Sequence, residues 1–344
     1  MKKLFEKIKF IFRKPTLILV AGAAQKTARE AIAGVAGKEV LVFEAASKTP
    51  NEWKFFIERS QLPILVVSHI GEYHPEKEFF AGELKDAKEI SVLAKMLPAH
   101  GHLILNYDDE TVRDMHGQSK AHPLFFGLGA RADIQASDIV LTQFPETGTN
   151  FKINYEGKTV PVWLEKLFGK EHVYAALAAA AAGEILGLNL VEISGSLKRY
   201  VGVAGHMKLT GGIKQSFILD DSENASVLSM AEGLDLLKRI KVSGKKIAVL
   251  GDIVGVGKYT IEAHEAIGEN VALSADLLFT VGDRAKFFAE GARKRGMTND
   301  RIFEFSEVGP SGLALQEKIA QGDLILIDGS KEMSMMDVVT EVKA

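Results

Sequence analysis

The 344-residue chain contains no cysteine. That excludes a disulfide framework, a thiolate zinc site and a cysteine nucleophile, and it fits a reducing cytoplasm. A bilayer-spanning run of about 20 apolar residues is also missing; the alanine-rich stretch from Tyr174 to Leu188 is too short and carries Glu184. No excess of one charge is present, since 42 basic and 45 acidic residues leave a formal charge of -3. No global field therefore recommends nucleic acid as a partner. What remains is ordinary: 47% hydrophobic and 25% charged residues describe a globular protein that buries cores. At roughly 150 residues per domain, the length divides into about two domains.

The opening segment, 1–14, departs from this balance. Lys2, Lys3, Lys7, Lys9, Arg13 and Lys14 oppose Glu6 alone, while Leu4, Ile8, Ile11 and Phe12 recur at helical spacing. Two readings stand: peripheral contact with an anionic membrane at its inner face, or a first helix packing Phe5, Ile8 and Phe12 on its own domain. Lysines interrupt the apolar residues and no small-residue cleavage site follows, which argues against a secretory signal.

From Pro15 the pattern becomes strand and helix in alternation. Thr16 to Val20 predicts a buried strand, Ala21 to Thr27 a loop and Ala28 to Val35 a helix. Further strands end at Glu44 and before the polar stretch Ser68 to His74. Ligands gather at the carboxyl ends of parallel strands, so Lys26, Glu44, Glu72 and His74 are expected to converge on one crevice. Short strands with turns between Phe125 and Val162 predict a β-rich appendage, His172 to Leu186 a long helix, and Ser216 onward a second alternation. The expected fold is α/β: a P-loop-type parallel-sheet central domain with a β-rich appendage, residues 15–188, then a smaller Rossmann-like C-terminal domain, residues 189–344.

Gly22-Ala23-Ala24-Gln25-Lys26-Thr27 keeps one glycine and the Lys-Thr pair of a phosphate-binding loop. In such loops backbone N–H groups and a helix N-terminus cradle phosphate, the lysine reaches the β- and γ-phosphates, and the hydroxyl ligates Mg²⁺. Gln25 replaces a second glycine and is expected to crowd a backbone that needs unusual dihedrals. An ordinary strand-to-helix turn is the plainer reading of the same residues.

More distant segments resemble the Mur ligase family, in the branch that joins D-alanyl-D-alanine to a UDP-N-acetylmuramoyl tripeptide. His69-Ile70-Gly71-Glu72-Tyr73-His74 is similar to its Asn-Ile-Gly-Glu-Ala-His, Asp86 to Ile90 to the segment of its carbamylated lysine, and Leu105-Asn106-Tyr107-Asp108-Asp109 to its Leu-Asn-Ala-Asp-Asp. Lys170 to Leu177, Asp220 to Ala225 with Ser229-Met230, Leu250-Gly251-Asp252 followed by His264, and Gly329-Ser330-Lys331 continue in the family's order.

The resemblance implies ATP-driven amide formation through an acyl phosphate, in peptidoglycan precursor synthesis, with preorganised charge around the transferring phosphoryl group. Nucleotide and a peptidoglycan-precursor-like molecule are the partners it implies. It assigns Gly22, Gln25, Lys26 and Thr27 to the phosphates, and Thr27, Glu44, His74 and a carbamylated Lys88 to one or two Mg²⁺ ions. Lys26, His74 and Lys88 become the catalytic set. His172 and Asn224 would face adenine, Asp220 or Asp221 the ribose, and His206 stands where the family carries arginine. On residues alone, Lys88 reads as a solvated helix lysine.

Other departures are His172 in place of asparagine, Gly255 in place of an acid, and a short stretch between Thr27 and Glu44. A UDP-sugar domain would need roughly 80 to 100 residues, and only Met1 to Lys14 precede the first strand. The expectation is a smaller or differently held substrate, a partner chain that supplies the contact, or loss of the reaction. Two functions follow: an ATP-dependent ligase, or a Mur-like pseudoenzyme or scaffold whose ATP turnover has ended. A folylpolyglutamate- or cyanophycin-type ligase shares the core, but Asp220 to Ala225 and Leu250 to Asp252 favour the first branch.

Overall fold

Apolar runs too short for buried helices become the central parallel strands of each half of the chain. The computed structural model describes residues 10–74, 79–82, 84–144 and 146–344, with backbone alone over 71–74, 79–82 and 84–86. β1 (Thr16–Ala21) passes through α1 (Gln25–Ala36) to β2 (Leu41–Glu44), and α2 (Pro50–Arg59) leads to β3 (Leu62–Val67). α2 starts sharply because Pro50 fills its first turn and Thr49 and Glu52 form a capping box. The polar stretch after β3 forms β4 (Gly71–His74), which pairs antiparallel with β5 (Phe79–Gly82) before α3 (Leu84–Met96).

β6 (His102–Asn106), β7 (His122–Gly127), β8 (Ile134–Thr142), β9 (Gly148–Tyr155) and β10 (Lys158–Glu165) complete the first sheet, in the order β10-β9-β8-β7-β6-β3-β1-β2. From β7 to β2 every neighbouring pair is parallel. Val20 pairs with Glu44 and Ala21 with Val67, so three carboxyl ends lie level at one edge.

α4 (Lys170–Ile185) buries Ala175, Ala176 and every alanine from Ala178 to Ala182. Side chains that end at Cβ let α4 lie close against α1. α5 (Leu190–Leu197) packs on the same pair, with Ile193 against Gly183. This explains where the division falls. Contacts separate one unit, up to Val140 with Asn150–Leu164 and Lys170–Val201, from a second, Leu141–Thr149 with Glu165–Gly169 and Gly202–Ala344. In this division α5 stays with the helices it covers, in the first unit. The far ends of the β-rich appendage are counted with the second unit, where Leu141 and Phe144 pack on its core.

The second unit contains β11 (Lys208–Gly212), β12 (Ser216–Asp221), α6 (Val227–Arg239), β13 (Lys246–Gly251), α7 (Thr260–Ser274), β14 (Leu277–Val281), α8 (Lys286–Lys294), β15 (Ile302–Phe305), α9 (Val308–Lys318), β16 (Leu324–Asp328) and α10 (Met336–Val342). The order is β11-β12-β16-β13-β14-β15, parallel except for β11. The α/β class expected from the sequence is the one observed. Sequence patterning missed β11 and β15; β15 is only four residues long and includes the polar Glu304.

At the opening of the described chain, Phe10 is buried and meets Phe56 edge-on at 5.0 Å. The expected packing of Phe12 is corrected: it is 84% exposed. Leu4, Phe5 and Ile8 lie outside the described residues. Among the described residues no helix is long and apolar enough to cross a membrane.

Candidate nucleotide site

Gly22 follows β1 with φ +103, a conformation that L side chains rarely adopt. A Cβ here would fall 2.3 Å from the His69 carbonyl oxygen and 2.6 Å from Ser68 Oγ. The glycine thus lets the loop rest directly on the end of β3, where the Ala23 N–H donates to the His69 carbonyl at 2.8 Å. α1 begins at Gln25, earlier than expected, which puts Lys26 and Thr27 on its first turn. No side chain caps this helix and no acid of its own stands in the first turn. Its N-terminal dipole and N–H groups favour an anion.

The expected crowding at Gln25 does not occur. Gln25 takes no positive φ, so a side chain is tolerated, and its Oε1 faces the Ala46 N–H at 3.5 Å. Ala45 is itself fixed by the buried Trp53, whose Nε1–H donates to the Ala45 carbonyl at 2.8 Å. Between these walls lies a cavity of about 110 Å³ bounded by Gly22 and Gln25, by Ala45, Ala46 and Lys48, and by Glu89, Ile90 and Leu93 of α3. Lys26, Glu44 and Lys88 do not line it, but each has an adjoining residue that does.

A row of polar groups supports the loop from below. Thr27 is fully buried, and its hydroxyl donates to the Glu171 carboxylate on the first turn of α4. The Tyr200 hydroxyl donates to the Thr27 carbonyl at 3.4 Å and lies 3.0 Å from His172 Nδ1. Burial, with Glu171 and Glu30 nearby, pushes the Tyr200 phenol well above its usual range. Burial also pulls the His69 imidazole below the usual histidine range, against the opposing pull of Glu171 and Asp109. Asp109 accepts from the Ile70 N–H at 3.0 Å and caps the next turn through Val112 N at 3.0 Å. Asp108 accepts from the N–H groups of Leu128 and Gly129 and from the Tyr174 hydroxyl at 3.0 Å.

Glu44 ends β2 as expected, where Arg29 Nε donates to its Oε1 at 3.1 Å. Lys88 is exposed on α3. His74 ends β4, and the Glu72 and His74 side chains lie outside the described ones. His172, expected to face adenine, is wholly buried with its ring against Tyr200. Sequence reasoning missed Glu171, Arg29, His69 and Tyr200. The first two had a signal in position, Glu171 beside His172 in the matched stretch and Arg29 one helical turn beyond Lys26.

In the second unit the acidic pair serves the backbone. Asp220 accepts from Gly205 N at 2.9 Å and from Ser222, and Asp221 accepts from Met207 N at 2.9 Å. Both carboxylates, expected near ribose, are buried and hold the Gly205–Met207 turn around the buried His206. Asn224 N–H donates to the Asp221 carbonyl, and its own carbonyl accepts from Ser229 Oγ. Asp252 accepts from Arg284 N at 3.1 Å, and Ser330 Oγ accepts from Val254 N at 2.9 Å. His264 Nδ1–H donates to the Thr260 carbonyl while Nε2 accepts from Ile253 N, a neutral tautomer consistent with burial lowering its proton affinity.

Residues 23–183 match the Mur ligase middle domain and residues 205–331 the Mur ligase, glutamate ligase domain. The UDP-N-acetylmuramoyl-tripeptide--D-alanyl-D-alanine ligase of Bacillus subtilis is 27% identical over 306 residues, covering 88% of this chain and 64% of that protein. The corresponding Escherichia coli ligase is 25% identical, with the same shares, 88% and 64%. The chain thus spans less than two thirds of the length of these relatives. Among solved structures, MurF from Acinetobacter baumannii superposes with a TM-score of 0.77 at 21% identity, over 95% of this chain and 76% of that one. The MurF ligase from Thermotoga maritima in complex with ADP gives 0.73 at 18% identity, over 98% and 82%.

Gly22→Ala is expected to destabilise the first unit by about 1–3 kcal/mol, since neither the φ nor the His69 carbonyl leaves room for a methyl group. An unchanged urea midpoint would show that the loop yields freely. A second expectation concerns Asp328, which is fully buried at the end of β16, opposite Asp221 of β12. Its two carboxylate oxygens have no hydrogen-bond partner among the described residues, and burial raises its proton affinity well above the ordinary range. With the folded value raised, its stabilising contribution is complete at low pH and lost as pH climbs through that value. Melting temperature should therefore fall toward alkaline pH in the parent and fall less in Asp328→Asn; parallel curves would refute this.

Proposed function

The chain belongs to the Mur ligase family through its middle and C-terminal domains, and from that premise we propose that it is an ATP-dependent amide ligase acting on a peptidoglycan-precursor-like acid. The observation that carries the reading is the Gly22 loop, which runs over the end of β3 into an uncapped helix bearing Lys26 and Thr27. In the proposed reaction a substrate carboxylate oxygen bonds to the γ-phosphorus of ATP and ADP leaves. An amine then attacks the acyl carbon, phosphate leaves, and the amine loses a proton. Lys26 would neutralise charge on the transferring phosphoryl oxygens, while the N–H groups of α1 hold the phosphates.

Among the described residues no three His, Asp or Glu side chains are grouped to hold a metal. Mg²⁺ suits such a place, because it keeps waters and phosphate oxygens and takes only one or two protein oxygens. Thr27 and Glu44 are the oxygen donors beside the loop, with His74 and a carbamylated Lys88 as further candidates. The Arg29–Glu44 pair is about one third exposed on each side (30% and 34%), and such pairs hold by only ~0–1 kcal/mol, so Glu44 is easily released. When bound, the ion would offset phosphoryl charge. The relatives compared are named ligases, which favours turnover over the pseudoenzyme alternative. The corresponding location is the cytoplasm.

Purified protein is expected to release phosphate from ATP only when a UDP-muramoyl peptide and a D-alanyl dipeptide are both present, and Lys26→Ala to lower that rate about 100-fold or more. Release without either substrate, or an unchanged rate in the variant, would remove the loop from the reaction. The basic opening is proposed as a peripheral membrane contact, supported by the exposure of Phe12 beside Arg13 and Lys14. Sedimentation with anionic vesicles should occur at low salt and vanish at high salt; salt-independent or absent sedimentation would refute it.

A further inference from the structure

Thr27 is tied twice to the segment that follows the β-rich appendage. Its hydroxyl donates to Glu171, and its carbonyl accepts from Tyr200 at 3.4 Å. A hydroxyl has one proton and two acceptor lone pairs. Once the proton is committed to Glu171, Thr27 Oγ1 can act toward any other group only as an acceptor, the role a cation requires. Hydrogen bonding to a carboxylate is charge-assisted and increases electron density on the hydroxyl oxygen. Glu171 sits on the first turn of α4, where the helix dipole favours an anion. Thr27 is fully buried, so solvent does not compete for its proton.

We propose that Glu171 is a positioning residue for Thr27, holding its hydroxyl proton so that the oxygen faces the Mg²⁺ that accompanies the nucleotide. This rests on the ATP-dependent reading above. It gives Glu171 a role that a simple tie between α1 and α4 would not have: it sets how much Mg²⁺ strengthens nucleotide binding, rather than whether the helices pack.

The test is isothermal titration of ATP with excess EDTA and with excess Mg²⁺, on parent, Glu171→Ala, Glu171→Gln and Thr27→Val proteins. Thermal melts and Mn²⁺ binding by electron paramagnetic resonance accompany it. Glu171→Ala and Thr27→Val should reduce the Mg²⁺-dependent gain in ATP affinity by ~10-fold or more, and weaken Mn²⁺ binding to match. Affinity in EDTA should stay within about twofold of the parent in the two Glu171 variants. Glu171→Gln, which keeps an acceptor without the charge, should fall between. An intact Mg²⁺ gain in both Glu171 variants would overturn the inference and leave the ATP reading standing, as would equal losses with and without metal that follow the melting temperature. No ATP binding by the parent in either condition would overturn the ATP reading, and this inference with it.

Discussion

The close approach of Gly22 to the main chain of His69 is the constraint on which the first unit's site depends. It ties the end of β1 to the end of β3 without a side chain between them. α1 therefore starts at a fixed height above the sheet, and everything on its first turn inherits that height. Thr27 can reach Glu171, and Gln25 can face Ala46, only because the loop is flat against the strand ends. Asp109 extends the support by holding the Ile70 N–H, so the floor of the loop is fixed from a third strand's end as well.

The parts legible in the sequence were those whose signal is local. β1 is a continuous apolar run of strand length, and the ends of β1, β2 and β3 were read within a residue. The Asp108-Asp109 and Asp220-Asp221 pairs stood out as motifs, yet their work is to satisfy backbone N–H groups brought near by the fold, which residue type alone does not reveal. His172 shows the same limit: an imidazole beside a helix start reads equally as a ligand contact and as a buried partner for a tyrosine placed 28 positions later. The glutamine in the loop misled in the opposite direction. Only one loop position, Gly22, needs a positive φ, and the second glycine of related loops has no such demand placed on it here.

The second unit shows a consistent use of buried acids. Asp220 and Asp221 accept from N–H groups of the Gly205–Met207 turn that enters β11, and Asp252 accepts from Arg284 N after β14. A buried carboxylate is stable when several N–H donors converge on it. Asp328 lies in the same layer and lacks those donors among the described residues. The same chemical group thus organises two turns and, one strand away, loads the sheet with a cost that depends on its proton.

The alanine face of α4 has a mechanical consequence. Alanine has no rotamers to exchange, so on the α4 side the seam with α1 offers little side-chain slack with which to absorb a small shift. The 16 residues of α4 form a rod of roughly 24 Å at 1.5 Å per residue, with Glu171 at the end that touches Thr27. A shift of the loop thus meets a seam along α4 that small side chains close tightly, as far as the turn at Gly187, where φ is positive.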